Sequence, residues 1–152
     1  RDLIAVDPTF STVINFNQAN IRGATLHVST IAADYRFKAE VTREEATDEA
    51  TGRLLPRRAK SFGTLSVAGN SGALGFGAEI VASGERFDTA ANAPSSRLAG
   101  YALLNLRASY ALRPDFAVSV RWNNVLDREY ELVRGYTTPG ANVLVSLEFT
   151  RQ

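Results

Sequence analysis

Three features of the sequence predict an all-β fold: antiparallel, up-and-down strands forming a segment of a transmembrane β-barrel. Apolar and polar residues alternate with period two. Short turns and long polar links succeed one another strictly. Helical patterning is almost absent.

In chain order, Asp2–Val6 reads as a short strand. The segment Ser11–Thr30 is rich in strand formers but alternates less cleanly, so a bulge is expected near Asn15–Asn20. Tyr35, Phe37, Ala39 and Val41 then oppose Arg36, Lys38, Glu40 and Thr42. Thr42–Ala50 contains good helix formers, yet it has no stripe of period 3.6 and is too short to stand alone. Arg57–Asn70 is another, less regular strand segment. Leu74, Phe76, Ala78, Ile80 and Ala82 oppose Gly75, Gly77, Glu79 and Ser83. Ala102, Leu104, Leu106, Ala108 and Tyr110 oppose Asn105, Arg107 and Ser109. Phe116, Val118, Val120 and Trp122 oppose Ala117, Ser119, Arg121 and Asn123. Finally Ala141, Val143, Val145, Leu147 and Phe149 oppose Asn142, Leu144, Ser146 and Glu148. The total is about eight strands, of roughly the ~9–11 residues that cross a bilayer at a tilt.

The connections say which kind of β protein this is. Ile31–Asp34, Asn70–Ala73 and Leu112–Asp115 are tight turns, whereas Ala46–Pro56, Glu85–Ala99 and Val125–Gly140 are long and polar. Short turns at one end and long loops at the other are the pattern of an outer-membrane barrel. A soluble sandwich mixes loop lengths at both ends. The polar faces mix bulky charges with small residues (Glu40, Gly75, Gly77, Glu79, Arg107, Arg121), as a wet interior would. Tyr35, Phe37, Tyr110, Phe116 and Phe149 lie near the tight-turn ends, and Tyr101 and Trp122 near the long-loop ends, at the heights of aromatic girdles.

Composition narrows the function. The chain has 152 residues, 45% hydrophobic, with a net charge of +1, which argues against a nucleic-acid partner. With no cysteine, disulfides, thiolate catalysis and Cys-ligated metals are excluded. No apolar run is long enough for a membrane helix. There is no methionine and residue 1 is Arg, which predicts that the chain is a piece of something larger. A Ser-His-Asp arrangement would have to use His27, the sole histidine, and Gly69-Asn-Ser-Gly72 has the wrong spacing for a nucleophile elbow. Gly72–Gly77 precedes no helix and so is no phosphate loop; its glycines are expected to line the interior or to ease strand curvature. The chain is not expected to be an enzyme, to carry a cofactor or to bind a metal. His27 lacks a second ligand, and Glu44, Glu45, Asp48 and Glu49 lack the spacing of a calcium loop and read as solvated.

Residues Trp122-Asn-Asn-Val-Leu-Asp-Arg-Glu-Tyr-Glu131, then Arg134-Gly-Tyr-Thr-Thr-Pro-Gly140 and a last strand ending Val145-Ser-Leu-Glu-Phe149, closely resemble the C-terminus of TonB-dependent outer-membrane receptors. Leu54-Leu-Pro-Arg-Arg-Ala-Lys60 resembles the entry to another late barrel strand, and Arg1-Asp-Leu-Ile and Ile21-Arg-Gly-Ala fit earlier ones. Among subfamilies the chain is most similar to the cobalamin (vitamin B12) receptors. The resemblance implies that residues 1–152 are the C-terminal part of a barrel of about 22 strands. The plug domain and the earlier strands are absent from the sequence.

It also implies the partners: outer-membrane lipid, the barrel-assembly machinery, TonB only through the absent plug, and a small-molecule ligand, cobalamin or another chelate such as a ferric siderophore. Arg57 and Tyr136 take the positions that approach the ligand in the cobalamin subfamily. The plainer readings are a loop or plug ion pair for Arg57, and a packing or girdle residue for Tyr136. Val143, Val145, Leu147 and Phe149 resemble the membrane-insertion signal strand, although Thr150-Arg-Gln152 follow the terminal aromatic. The open edges of such a fragment are expected to close, dimerise or pair with other copies. The competing readings are a self-contained eight-stranded outer-membrane barrel with a structural or adhesive role, and a soluble ligand-binding barrel with its apolar face inward.

Overall fold

Alternation at every second residue leaves each strand with one apolar edge, and antiparallel pairing joins those edges into a face. The computed structural model describes residues 3–6, 13–16 and 18–150. The strands are β1 (Leu3–Val6), β2 (Val13–Phe16), β3 (Ala19–Ala32), β4 (Tyr35–Asp48), β5 (Ser61–Ser71), β6 (Leu74–Ser83), β7 (Arg86–Phe87), β8 (Arg97–Leu98), β9 (Tyr101–Arg113), β10 (Phe116–Asn123) and β11 (Asn142–Phe149). Seven of them form one antiparallel sheet in the order β11-β10-β9-β6-β5-β4-β3. β1 pairs with β2 and β7 with β8 in separate two-stranded ladders. The fold is the all-β, up-and-down wall segment that the sequence predicts.

Register aligns the two faces across the whole sheet. One row runs Thr30, Phe37, Val67, Ala78, Leu106, Trp122, Val143. The row beside it, on the other face, runs Ile31, Arg36, Ala68, Gly77, Arg107, Arg121, Leu144. The first face stays uncovered: Leu26, Val41, Leu65, Val145 and Leu147 are all exposed, Leu147 by 70%. An apolar face that spans seven strands without a covering layer is suited to hydrocarbon, not to water. That geometry contradicts the soluble reading, which needs the same face turned inward.

The tight turns lie where expected. Ala33 and Asp34 both have positive φ (49° and 68°), the backbone of a two-residue hairpin turn matched to strand twist. At the opposite end the long connections fold back over the polar face. What buried core the described residues have lies there: Ala46, Leu55, Ala59 and Leu98, with Leu98 only 1% exposed.

Four expectations are corrected. Ser11–Thr30 is not one bulged strand; β2 and β3 are distinct and pair with different partners, β1 and β4, while 11–12 and 17 lie outside the described residues. A register shift occurs instead between β9 and β10, at Phe116/Ala117. Thr42–Asp48 continues β4, so the link expected from Ala46 starts after Asp48. Its local helix tendency yields to an unbroken ladder from Ala19↔Asp48 to Ala32↔Tyr35. Tyr101 is no girdle residue, because it pairs with Ser83 on the polar face.

Candidate functional site

Among the described residues, the polar face and the loops above it hold most of the interacting polar side chains. Arg36, Arg107 and Arg121 converge on a hollow of about 570 Å³ toward the tight-turn end, where Asp34 is the sole acidic lining residue. A second hollow, of about 370 Å³, adds His27, Lys38, Glu40 and Glu79. His27 Nδ1 lies 3.6 Å from Glu40, and Asn105 donates to Glu79 at 3.3 Å. Gly77 lines the second hollow, and a Cβ there would stand 2.7 Å from Arg107 Nε, so the guanidinium stem occupies the room that a side chain would take. Gly75 and Gly77 take the interior position expected of them, whereas Gly72, with a φ of 57°, lies in the tight turn.

Toward the long-loop end, the segment Leu54–Lys60 is anchored on both sides of its chain. Leu55 and Ala59 are buried, while each base finds an acid. Arg57 Nε donates to Asp88 at 2.7 Å, Lys60 to Glu45 at 3.1 Å, and Arg58 lies 3.9 Å from Glu44. Arg57 has a positive φ of 59°, unusual for a residue with a side chain, and its N–H donates to the Phe87 carbonyl at 2.6 Å. The candidate Arg57 therefore sits in an ion pair with a loop carboxylate, and its side chain is still about half exposed. The carboxylate is largely buried, so the pair is held from the Asp88 side.

The other candidate, Tyr136, projects from the loop after β10 and is 71% exposed. Its N–H donates to Val133. That loop is built on Asn124, 3% exposed, whose amide donates to the Arg128 carbonyl and accepts from the Arg128 N–H, both at 2.9 Å. Asp127 Oδ1 then accepts from Ala141 N–H at 2.7 Å, closing the loop at its far end. The Asn-Val-Leu-Asp-Arg stretch is thus a brace, in which the side chains do the hydrogen bonding that no sheet partner can.

Two loops meet at Arg86. Its guanidinium, on a residue 5% exposed, donates to the Glu131 carbonyl at 2.7 Å and lies 5.4 Å from the Tyr101 ring centroid. Tyr101 in turn contacts Tyr130, with centroids 4.6 Å apart. Asn92 ties in the third loop: it accepts from Leu54 N–H and donates to Leu54 O. The sequence marks Tyr101 only as a girdle residue and does not single out Arg86, Asp88 or Asn92. Only Asn124 carried a signal, an Asn at the head of a strand-ending motif. Among the described residues no group of three His, Asp or Glu converges as a metal site.

On the opposite face, Val143, Val145, Leu147 and Phe149 all project outward from β11, whose described ladder is with β10 alone.

A family model described as TonB dependent receptor-like, beta-barrel, matches residues 1–125. Solved structures match in fold. The pyoverdine outer membrane receptor FpvA from Pseudomonas aeruginosa is 19% identical, with TM-score 0.73, covering 99% of this chain and 25% of the receptor. The siderophore receptor PiuA from Acinetobacter baumannii is 20% identical, with TM-score 0.73, covering 96% and 24%. The copper transporter OprC is 16% identical, with TM-score 0.71, covering 86% and 23%. The chain spans about a quarter of the length of these structures.

Proposed function

Because the chain belongs to the TonB-dependent receptor-like β-barrel family, a family of outer-membrane transport receptors, we propose that it is the C-terminal wall of a receptor that actively imports a scarce metal chelate. The observation that carries this reading is the division of the sheet into a lipid-facing skin and a polar face roofed by its own long loops. A ligand captured from outside meets the loop layer first. The hollow lined by Arg36, Arg107 and Arg121 lies below it and faces the space that a plug domain fills in such receptors.

The ligand class is an anionic chelate of the siderophore kind. Across the two adjoining hollows Arg36, Lys38, Arg107 and Arg121 outnumber Asp34, Glu40 and Glu79, a basic excess that favours a negative ligand. The resemblance of Leu54–Lys60 and Arg134–Gly140 to the cobalamin subfamily favours a second reading, cobalamin itself, with Arg57 and Tyr136 as contacts. In either case Arg57 would leave Asp88 or share it with the ligand, and Tyr136 offers a flat face with a hydroxyl tip. Val143, Val145, Leu147 and Phe149 form the strand read by the barrel-assembly machinery. The edges of β3 and β11 are completed by the remaining strands of the receptor.

The test is uptake by cells carrying or lacking the full-length receptor, with labelled ferric siderophores and labelled cobalamin offered separately. The reading expects loss of one ligand class, dependent on TonB. Cells that lose neither would contradict it. In the full-length receptor, Arg57→Ala and Tyr136→Ala are expected to weaken binding of that ligand about tenfold each, an effect comparable to losing one good polar or aromatic contact.

A further inference from the structure

The loop that carries Tyr136 is rooted in the polar wall as well as in its own brace. Asn123 ends β10, and the next residue, Asn124, donates its N–H to Asn105 Oδ1 at 3.0 Å. The same Asn105 side chain donates through Nδ2 to Glu79 Oε2 at 3.3 Å. Glu79 and Asn105 pair directly across β6 and β9, and both line the second hollow. We propose that Asn105 is a positioning residue for the 124–141 loop and that the Glu79 carboxylate sets its orientation, so that a basic group brought against Glu79 in the interior loosens the loop above.

The two ends of an amide are unlike. An Asn side chain accepts at its oxygen and donates at its nitrogen, and half a turn exchanges the two. A carboxylate only accepts, so Glu79 selects the NH2 end of Asn105 and leaves the carbonyl end for the Asn124 N–H. With the amide turned, NH2 would face N–H, and a backbone donor on a residue 3% exposed would lose its acceptor.

That donor has no substitute nearby. The Asn124 side chain is already engaged at both ends by Arg128, and its φ of 49° turns the chain out of the β10 ladder. The following N–H, of Val125, goes to the Leu104 carbonyl at 2.8 Å. Two bonds to consecutive residues of β9 therefore hold the loop root, one through backbone and one through the Asn105 amide. Glu79 is exposed to the interior, and among the described residues it forms no ion pair. A cation reaching it makes a charge-assisted bond that outcompetes a neutral amide donor. By linkage, a loop held firmly from outside in turn favours the unpaired Glu79. From the import reading this takes only that Tyr136 meets the ligand.

The experiment follows amide exchange by mass spectrometry in the full-length receptor in detergent, in peptides covering 123–130. Glu79→Gln still offers an acceptor and should leave exchange within about twofold of the unaltered receptor. Glu79→Lys offers only donors, selects the amide oxygen, and should speed exchange about tenfold. Adding Asn105→Asp, which accepts at both oxygens, should bring the Glu79→Lys receptor back to within about twofold. A merely structural role predicts the reverse, since two disturbances at one contact do not repair each other. Unchanged exchange in Glu79→Lys overturns the proposal, as does a double variant that exchanges as fast as Glu79→Lys alone. Should Glu79→Lys fail to assemble, Glu79→Leu decides: it leaves the amide without a selector, and unchanged exchange overturns the proposal. The exchange readout needs no ligand, so its failure is distinct from a failure of the uptake test.

Discussion

The outward face and the loop layer are made from the same chain but obey different rules. On the outward face, glycines such as Gly63 and Gly69 apart, most neighbours in a row need only be apolar: Val67, Ala78, Leu106, Trp122 and Val143 share one row across five strands. In the loop layer each partner is particular. Asn124 serves Arg128 twice, Arg86 reaches Glu131, and Arg57 reaches Asp88. Lipid asks only for low polarity, whereas loops without a sheet ladder must find particular partners for their buried polar groups, although among the described residues Arg86 Nη1 is left without one. The first region tolerates shuffling and fails with a charge; the second tolerates little shuffling and fails with a deletion.

The sharpest way to break this contrast is to place a charge on each face at adjacent positions. Val120→Arg, outward and midway along β10, is expected to cost about 2–4 kcal/mol, while Ser119→Arg on the polar face stays within about 0.5 kcal/mol. Denaturant unfolding of the full-length receptor in lipid vesicles measures both, and equal effects would show that the two faces are not distinguished by solvent.

Asn124→Ala should come next. It strands the Arg128 N–H and carbonyl together, at about 1–3 kcal/mol, and should open the 125–140 loop to limited proteolysis while the rest of the barrel stays resistant. Arg86→Met is milder because it removes the buried charge along with its hydrogen bond. About 1 kcal/mol is expected, with faster amide exchange in both the 84–100 and 124–141 loops. Exchange confined to one loop would mean that Arg86 does not join them. The smallest effect belongs to Lys60→Gln, whose exposed pair with Glu45 should change unfolding by no more than about 0.5 kcal/mol.

Much of the wall was legible in the sequence because alternation is a local property. Phe116, Val118, Val120 and Trp122 declare their shared side without knowledge of any partner strand. The loop layer was not legible, because Arg86 and Glu131 are 45 residues apart, and Arg57 and Asp88 are 31 apart. Nothing near Arg86 distinguishes a buried guanidinium from a solvated one, and Tyr101 was placed at the right height but on the wrong side of the wall. The end of β4 shows the same limit: the link is expected from Ala46, but pairing of Ala46–Asp48 with Ala19–Ile21 carries the strand to Asp48, and that pairing is not local.

The sequence by itself determined an all-β chain with one lipid-compatible face, turns at one end and long loops at the other, while the resemblance of Trp122–Glu131, Arg134–Gly140 and the last strand pointed to the family. The chain spans about a quarter of the length of the structures it resembles. Only the tertiary structure decided which rows align, how Asn105 joins Glu79 to the root of the last loop, and which loop side chains meet over the polar face. The division has a physical cause. Which side of a strand a residue takes is set by its own backbone, but which residues meet is set by register and loop closure across the whole sheet.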